Sequence, residues 1–187
     1  MQMVLLIIVL LELLGCLIVI NGMKKYNAIV REFEVGHYES MEKQLVRIWQ
    51  LWKIVSIIPG YKTARLIYNH CCYILASLAL MEGEEQKFLK ILKSMKSIKG
   101  FAPELQGFML AVYYFSKKNI HMAEKYYKSY LLSFKNDSDI QIIMNKLFSE
   151  RGNLISEGEL LQAVNNFKSP VIAKMLREAG LLLAEVD

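Results

Sequence analysis

Residues 110–127 read LAVYYFSKKNIHMAEKYY, and this stretch indicates a helix, a tight turn and a second helix. Apolar and aromatic residues recur at helical spacing up to Phe115, polar residues fill 117–119, and the helical pattern resumes around Ala123. The pattern predicts helices at roughly 103–117 and 120–134. Connections this short join antiparallel neighbours, so the two helices should pack as a hairpin.

The same hairpin pattern occurs three times at a nearly constant spacing. The copies read Leu75-Ala76-x-x-Ala79-x-x-x-Gly83-Glu84, then Leu110-Ala111-x-x-Tyr114-x-x-x-Lys118-Asn119, then Met144-Asn145-x-x-Phe148-x-x-x-Gly152-Asn153. Their turn positions 83, 118 and 152 lie 35 and then 34 residues apart. Helix–turn–helix units at a constant period predict stacked pairs that bury one continuous core.

The middle copy resembles the tetratricopeptide repeat, a helix–turn–helix unit of 34 residues. Leu110, Ala111 and Tyr114 stand where that family has Leu-Gly-x-x-Tyr, and Ala123 and Tyr127 take its next small and aromatic places. A small residue lets two helices approach closely, and the large residues fill the gaps between successive turns. The resemblance covers about residues 69–168.

The chain departs from the tetratricopeptide pattern at several positions. The third copy has Asn145 and Glu157 where small residues are expected, and the first copy has Phe88. The middle copy has Gly107 in place of a large aromatic residue. Some other array of α-α hairpins is therefore the alternative.

The resemblance implies a protein-binding groove, because the first helices of tetratricopeptide hairpins line a concave surface that receives peptides or helices. By spacing, nine residues would face it: Tyr73, Ser77, Leu80, Phe108, Val112, Phe115, Ile142, Lys146 and Ser149. Such a groove is largely apolar and aromatic, which suits an amphipathic or extended protein segment. Burial in the core is the alternative for each of these residues.

Residues 1–20, MQMVLLIIVLLELLGCLIVI, predict a membrane anchor, because 20 helical residues span about 30 Å. A secretory or lipoprotein signal is disfavoured, since no Lys or Arg precedes the run and Leu14 is bulky for a lipoprotein cleavage box. Lys24, Lys25 and Arg31 follow the run. The positive-inside bias therefore predicts a single-pass protein of the cell membrane, with its N-terminus outside and its C-terminal domain cytoplasmic.

One acidic side chain, Glu12, lies inside the predicted span. A carboxyl group in the hydrocarbon is costly, so Glu12 is a candidate for contact with a partner helix, with Gly15 permitting close approach. The alternative is that a strongly apolar helix tolerates one protonated Glu. The residues leave both interpretations open.

The predicted fold is all-α: a single N-terminal transmembrane helix followed by a tetratricopeptide-like solenoid of α-α hairpins. Residues 1–21 form the anchor, 22–68 form juxtamembrane helices with a partial repeat, and 69–187 form the repeats. Ser169-Pro170 starts a final helix that should cover the end of the stack. The remaining predicted helices are roughly 2–34, 38–57, 61–82, 84–98, 138–151, 156–166 and 170–184.

Composition and motifs argue against several other functions. The net charge of +5 is spread along the chain rather than concentrated in a basic stripe with stacking aromatics, so nucleic acid is not the expected partner. The three histidines are scattered, and no nucleophile elbow, phosphate loop or HExxH occurs. We expect no catalysis, cofactor, metal or small-molecule ligand.

These features together predict a membrane-tethered adaptor or scaffold that binds another protein at the cytoplasmic face. The alternative is an auxiliary subunit of a membrane complex that assembles through its transmembrane helix and Glu12. In that case the helical domain would not itself carry the interaction.

Overall fold

A computed structural model describes the backbone of most of the chain. The residues outside the description are 1, 39–40, 58–61, 98–103, 133–137, 150–151, 153, 168 and 183–187. The side chains of residues 2–14, 132 and 138 are also outside it. The predicted helix ends at 98, 134, 151 and 184 all fall on undescribed residues.

The described residues form nine α-helices and no strand, which confirms the all-α prediction. In chain order the helices are α1 (Gln2–Val35), α2 (Met41–Val55), α3 (Lys62–Met81), α4 (Glu85–Lys93), α5 (Glu104–Ser116), α6 (Ile120–Leu132), α7 (Ser138–Phe148), α8 (Glu157–Phe167) and α9 (Pro170–Glu178). Each predicted helix is present.

Neighbouring helices pack as hairpins, and the hairpins stack. The pairs α1–α2, α2–α3, α3–α4, α5–α6 and α7–α8 are in contact. Across the hairpins, α3 contacts α5 and α5 contacts α7, while α4 contacts α5 and α6 contacts α7. This order of contacts is repeat-like, because each first helix touches the first helix of the next pair.

Two of the three repeated turns share one backbone geometry. Gly83 and Lys118 have φ of 80° and 59°, in the left-handed region. The following amides, of Glu84 and Asn119, donate to the carbonyls five residues earlier, at 2.8 and 2.9 Å. These are the bonds of a Schellman helix end, so the two turns are equivalent although only one contains glycine.

The third turn is longer than the other two. Helix α7 ends at Phe148, four residues before Gly152, and α8 begins only at Glu157. A reciprocal pair of bonds starts α8: the Ser156 amide donates to the Glu159 carboxylate at 2.9 Å, and the Glu159 amide lies 3.2 Å from Ser156 Oγ. This capping box fixes where α8 begins.

The glycine that breaks the family pattern has a packing role. A Cβ atom on Gly107 would lie 3.0 Å from the backbone nitrogen of Tyr130 and 3.1 Å from its Cα. The absent side chain therefore lets α5 approach the backbone of α6. A large aromatic residue at 107 would force this hairpin apart.

Helix α3 is the centre of the core. Every residue from Cys71 to Leu80 is buried, so the helix is covered on all sides. Among the described residues it is also the helix that is long and apolar enough to cross a membrane, with 78% of that stretch buried. Such burial is typical of a core helix. The span predicted over residues 1–21 stays a prediction, because the side chains of 1–14 are undescribed.

The last helix does not cover the end of the stack, so that prediction is wrong. Helix α9 turns back and packs against α5 and α3. Ser169 caps it by accepting from the Ile172 amide, and Pro170 begins it, as predicted. Helices α5 and α3 cover the apolar face of α9. The buried residues of that face are Val171, Ile172, Ala173, Met175 and Leu176.

A polar contact joins α1 to the core helix. The Tyr26 hydroxyl lies 2.6 Å from Nδ1 of His70, and the His70 ring stacks on Tyr73 at 5.7 Å. Burial lowers the pKa of His70, and the charge of Glu34 offsets part of that shift. The imidazole is therefore neutral near pH 7, and in the tautomer that leaves Nδ1 unprotonated it accepts a hydrogen bond from the Tyr26 hydroxyl.

Replacing Gly107 with alanine should destabilise the domain. The new Cβ would press on backbone rather than on a flexible side chain, so we expect the free energy of unfolding to fall by about 1–3 kcal/mol. Urea unfolding followed by circular dichroism measures this. The matched control is Gly158→Ala on α8, where an added Cβ meets nothing within 4 Å. Equal effects of the two substitutions would contradict the close approach of α5 and α6.

The buried His70 should make stability depend on pH. Because its pKa is lowered from 6.5 in the folded state, the unfolded chain takes up the proton first as the pH falls. The stability that depends on a neutral His70 is therefore fully present above about pH 6.5. The free energy of unfolding decreases as the pH falls from there through the folded pKa of His70. We expect His70→Gln to flatten the fall in unfolding free energy on acidification, and His121→Gln, on an exposed residue, to leave it unchanged. Identical slopes for His70→Gln and the unaltered chain would exclude this role.

Candidate protein-binding cleft

The concave surface expected to be a groove is filled along its first two hairpins. Of the nine predicted groove residues, five are buried: Tyr73, Ser77, Leu80, Phe108 and Val112. Phe167, at the end of α8, packs edge-on against Tyr73 at 6.0 Å and against Phe108 at 5.3 Å. The prediction of an open groove at these five residues is wrong, because the chain's own C-terminal segment covers them.

One polar contact joins α9 directly to α3. The Lys174 ammonium, midway along α9, lies 3.5 Å from the carbonyl oxygen of Leu80. Burial raises the pKa of Tyr73, the residue of α3 on which Phe167 packs just before α9 begins.

A small polar cluster surrounds the end of α9. Glu85 accepts from the Tyr113 hydroxyl at 3.1 Å and forms an ion pair with Lys117. These hydrogen bonds hold the pKa of the Glu85 carboxyl below its usual value. The cluster lines a cavity of about 50 Å³ together with Lys174 and Glu178. Its volume leaves no space for a ligand beyond a solvent molecule.

A second, larger cleft stays open between α6 and α7. Its volume is about 560 Å³. It is lined by nine residues of α5, α6, α7 and the following turn: Phe115, Ile120, Glu124, Tyr127, Lys128, Leu131, Leu147, Phe148 and Ser149. Two of the predicted groove residues, Phe115 and Ser149, therefore line an open surface.

The floor of the cleft is a cluster of aromatic rings. Phe148 stacks on Tyr127 with ring centroids 4.6 Å apart, and Phe115 meets Phe148 edge-on at 5.6 Å. Rings held by other rings offer a large apolar surface at little cost in conformational freedom. The floor is thus organised before any partner arrives.

The sides of the cleft expose apolar residues from one face of α6. Ile120 and Leu131 are 47% and 42% exposed, which is high for side chains of their size beside an apolar floor. Glu124 and Lys128, four residues apart on the same helix, add one charge of each sign. An apolar floor with a charged rim matches the composition of protein-binding sites.

The other predicted groove residues lie near this cleft without lining it. Ile142 and Lys146 are half-buried on α7. The Lys146 ammonium donates to the carbonyl of Ile155 at 2.8 Å, across the lengthened third turn. Lys146 therefore stabilises that turn.

The sequence interpretation missed the part that α6 plays in the cleft. It followed the tetratricopeptide pattern, in which first helices line the groove, and α6 is a second helix. The signal was present, since Ile120, Tyr127 and Leu131 recur at helical spacing on one face of α6.

Of the two candidate contact residues in the predicted span, the structure describes only Gly15 in full. The Glu12 side chain lies outside the described residues. Gly15 is exposed on α1, and a Cβ added there would meet nothing within 4 Å.

Within the described residues no three His, Cys, Asp or Glu side chains are grouped as a metal site would need. No family model, curated protein or solved structure matches this chain.

Replacing Phe167 with alanine should loosen α9 from the concave surface. The ring contacts both Tyr73 and Phe108, so its loss removes apolar contact worth on the order of 2 kcal/mol. We expect faster amide hydrogen exchange over 170–178, with α6 unchanged. Leu154→Ala, at a residue 80% exposed, is the control. Unchanged exchange in the Phe167 variant would mean that other contacts suffice to hold α9.

Proposed function

We propose that this protein is a membrane-tethered, tetratricopeptide-like adaptor that binds an apolar segment of another protein in the cleft between α6 and α7. The observation that carries the proposal is this cleft. The concave surface is filled along the first two hairpins, whereas the cleft keeps an aromatic floor and two exposed aliphatic side chains, Ile120 and Leu131. An amphipathic helix or an extended segment fits such a surface.

The tether is supported by the change in exposed surface along α1. Leu17, Ile18 and Ile20 are 64%, 48% and 52% exposed. The next exposed residues with long side chains are Lys24 and Lys25. An exposed apolar surface that ends at a pair of lysines is typical of a helix leaving a bilayer on its cytoplasmic side. The proposed orientation puts the cleft in the cytoplasm.

Tethering gives the adaptor a physical advantage. A cleft confined to one surface meets partners on that surface at a high effective concentration, so that modest affinity suffices. The repeat-like stack holds the cleft at a fixed distance from the span. A partner bound in the cleft is therefore presented near the membrane.

Photocrosslinking in intact cells tests the cleft. A photoreactive amino acid at Leu131 should give a discrete adduct with a partner, and the same group at Leu154, exposed outside the cleft, should not. A second variant, Ile120→Asp, should abolish the Leu131 adduct without loss of helical signal. Equal adducts from positions 131 and 154 would contradict the proposal.

An auxiliary subunit that assembles through α1 is the second candidate, favoured by the exposure of Gly15, beside which the described residues place no atom within 4 Å of an added Cβ. Glu12→Leu distinguishes the two functions. In the adaptor, this substitution leaves the Leu131 adduct intact. In the auxiliary subunit, Glu12→Leu removes the partner from the purified protein and Ile120→Asp does not.

A further inference from the structure

The packing of α1 on α2 sets the height of α2 relative to the predicted span. A Cβ atom on Gly22 would lie 2.8 Å from Leu51 and 3.6 Å from Trp52. Gly22 is the first residue after the predicted span, and it meets the C-terminal half of α2 from the N-terminal half of α1, so the two helices run antiparallel. The residues that follow Leu51 therefore run back toward the level of the lipid.

The exposed face of α2 changes character at this same height. Its first part is polar, with Lys43, Arg47 and Gln50 exposed. Toward its end the surface is apolar: Ile54 is 67% exposed, and Ile57, two residues after the helix ends at Val55, is 68% exposed. At 1.5 Å per residue, Ile54 lies about 5 Å beyond Leu51 toward the span, and Ile57 lies in the turn that follows the helix. Both α1 and α2 thus change from polar to apolar exposure at one level.

The start of α3 returns to this corner of the molecule and adds to it. Leu66, on its second turn, is 55% exposed. We name the set Ile54, Ile57 and Leu66 the apolar corner. Side chains of this size are rarely left this exposed together without a partner surface.

Cations surround the apolar corner without an acidic residue among them. The Lys96 ammonium lies 2.6 Å from Ser56 Oγ and 3.1 Å from the Lys53 carbonyl, and Arg65 donates to the Ser56 carbonyl at 3.3 Å. Burial and the like charges of Arg65 and Lys53 lower the pKa of Lys96. The chain has no Asp or Glu between Glu42 and Glu82.

The acidic residues lie at the far end of the same helices. Glu42, Glu82 and Glu84 lie within 4 Å of the Lys87 ammonium, where α2 and α4 begin and α3 ends. The hairpins therefore separate charge along their length. Their positive end is the end that carries the apolar corner.

We propose that the apolar corner inserts into the surface of an anionic membrane, with Lys53, Arg65 and Lys96 binding lipid phosphates. This inference rests on the proposed tether, which supplies the height. Aliphatic residues ringed by cations bind anionic bilayers through apolar burial and electrostatic attraction together, at a depth of about 5–10 Å. The domain then contacts the membrane at two points, which fixes its orientation and the direction in which the cleft faces.

Depth-dependent quenching of the full-length protein in lipid vesicles tests this. Single cysteines replace Ile57, Leu17 or Lys43 in a Cys16→Ala background and carry a fluorophore. Cys71 and Cys72 are buried, and burial raises the pKa of the Cys71 thiol to about 12, so they stay unlabelled. Vesicles are phosphatidylcholine with or without phosphatidylglycerol, and brominated lipids serve as the quencher.

We expect the brominated lipids to quench labels at positions 57 and 17 but not at 43, with position 57 quenched more in phosphatidylglycerol. A triple substitution, Lys53→Gln with Arg65→Gln and Lys96→Gln, removes the proposed phosphate ligands. It should lower the ratio of membrane-inserted to free apolar corner by roughly fivefold or more. The matched control neutralises Lys43, Lys90 and Lys125, which lie away from the corner, and should keep the dependence on phosphatidylglycerol.

The outcomes separate the inference from the tether. Quenching at 17 without quenching at 57 overturns the second contact and leaves the tether standing. No quenching at 17 removes the tether and the inference with it. Equal quenching at 57 in both lipids, unaffected by the triple substitution, excludes recognition of anionic lipid.

Discussion

The structure depends on one constraint: α3 is apolar on every side and must be covered on every side. Ten consecutive residues, 71–80, are buried, and a hairpin with a single neighbour covers only part of such a helix. Helices α2, α4, α5 and α9 all contact α3. The need to cover the remaining face of α3 explains why the chain bends back on itself after α8.

Much of the secondary structure could be predicted from the sequence, because helix ends depend on local chemistry. The turns at Gly83 and Lys118 fall where the repeated spacing predicted. The left-handed conformation of Lys118, which a lysine side chain disfavours, was not predicted. Ser169-Pro170 started α9 where expected. Such features involve residues a few positions apart, and one sequence contains them in full.

The position of α9 and the true open cleft could not be predicted in the same way. Both depend on which surface packs most favourably against an apolar helix face. Contacts between residues far apart in the chain decide this. Phe108 and Tyr73 were equally consistent with binding a partner and with binding Phe167. A local pattern could not distinguish a foreign helix from the chain's own.

The place of α9 in the core also bears on synthesis of the protein. The ribosome adds about 5–20 residues per second, so α3 and α5 emerge several seconds before the helix that covers them. During that interval their apolar side is bare. Completion of the core therefore waits until α9 has been synthesised, and a nascent chain stalled before Pro170 presents an exposed apolar surface that chaperones would need to shield.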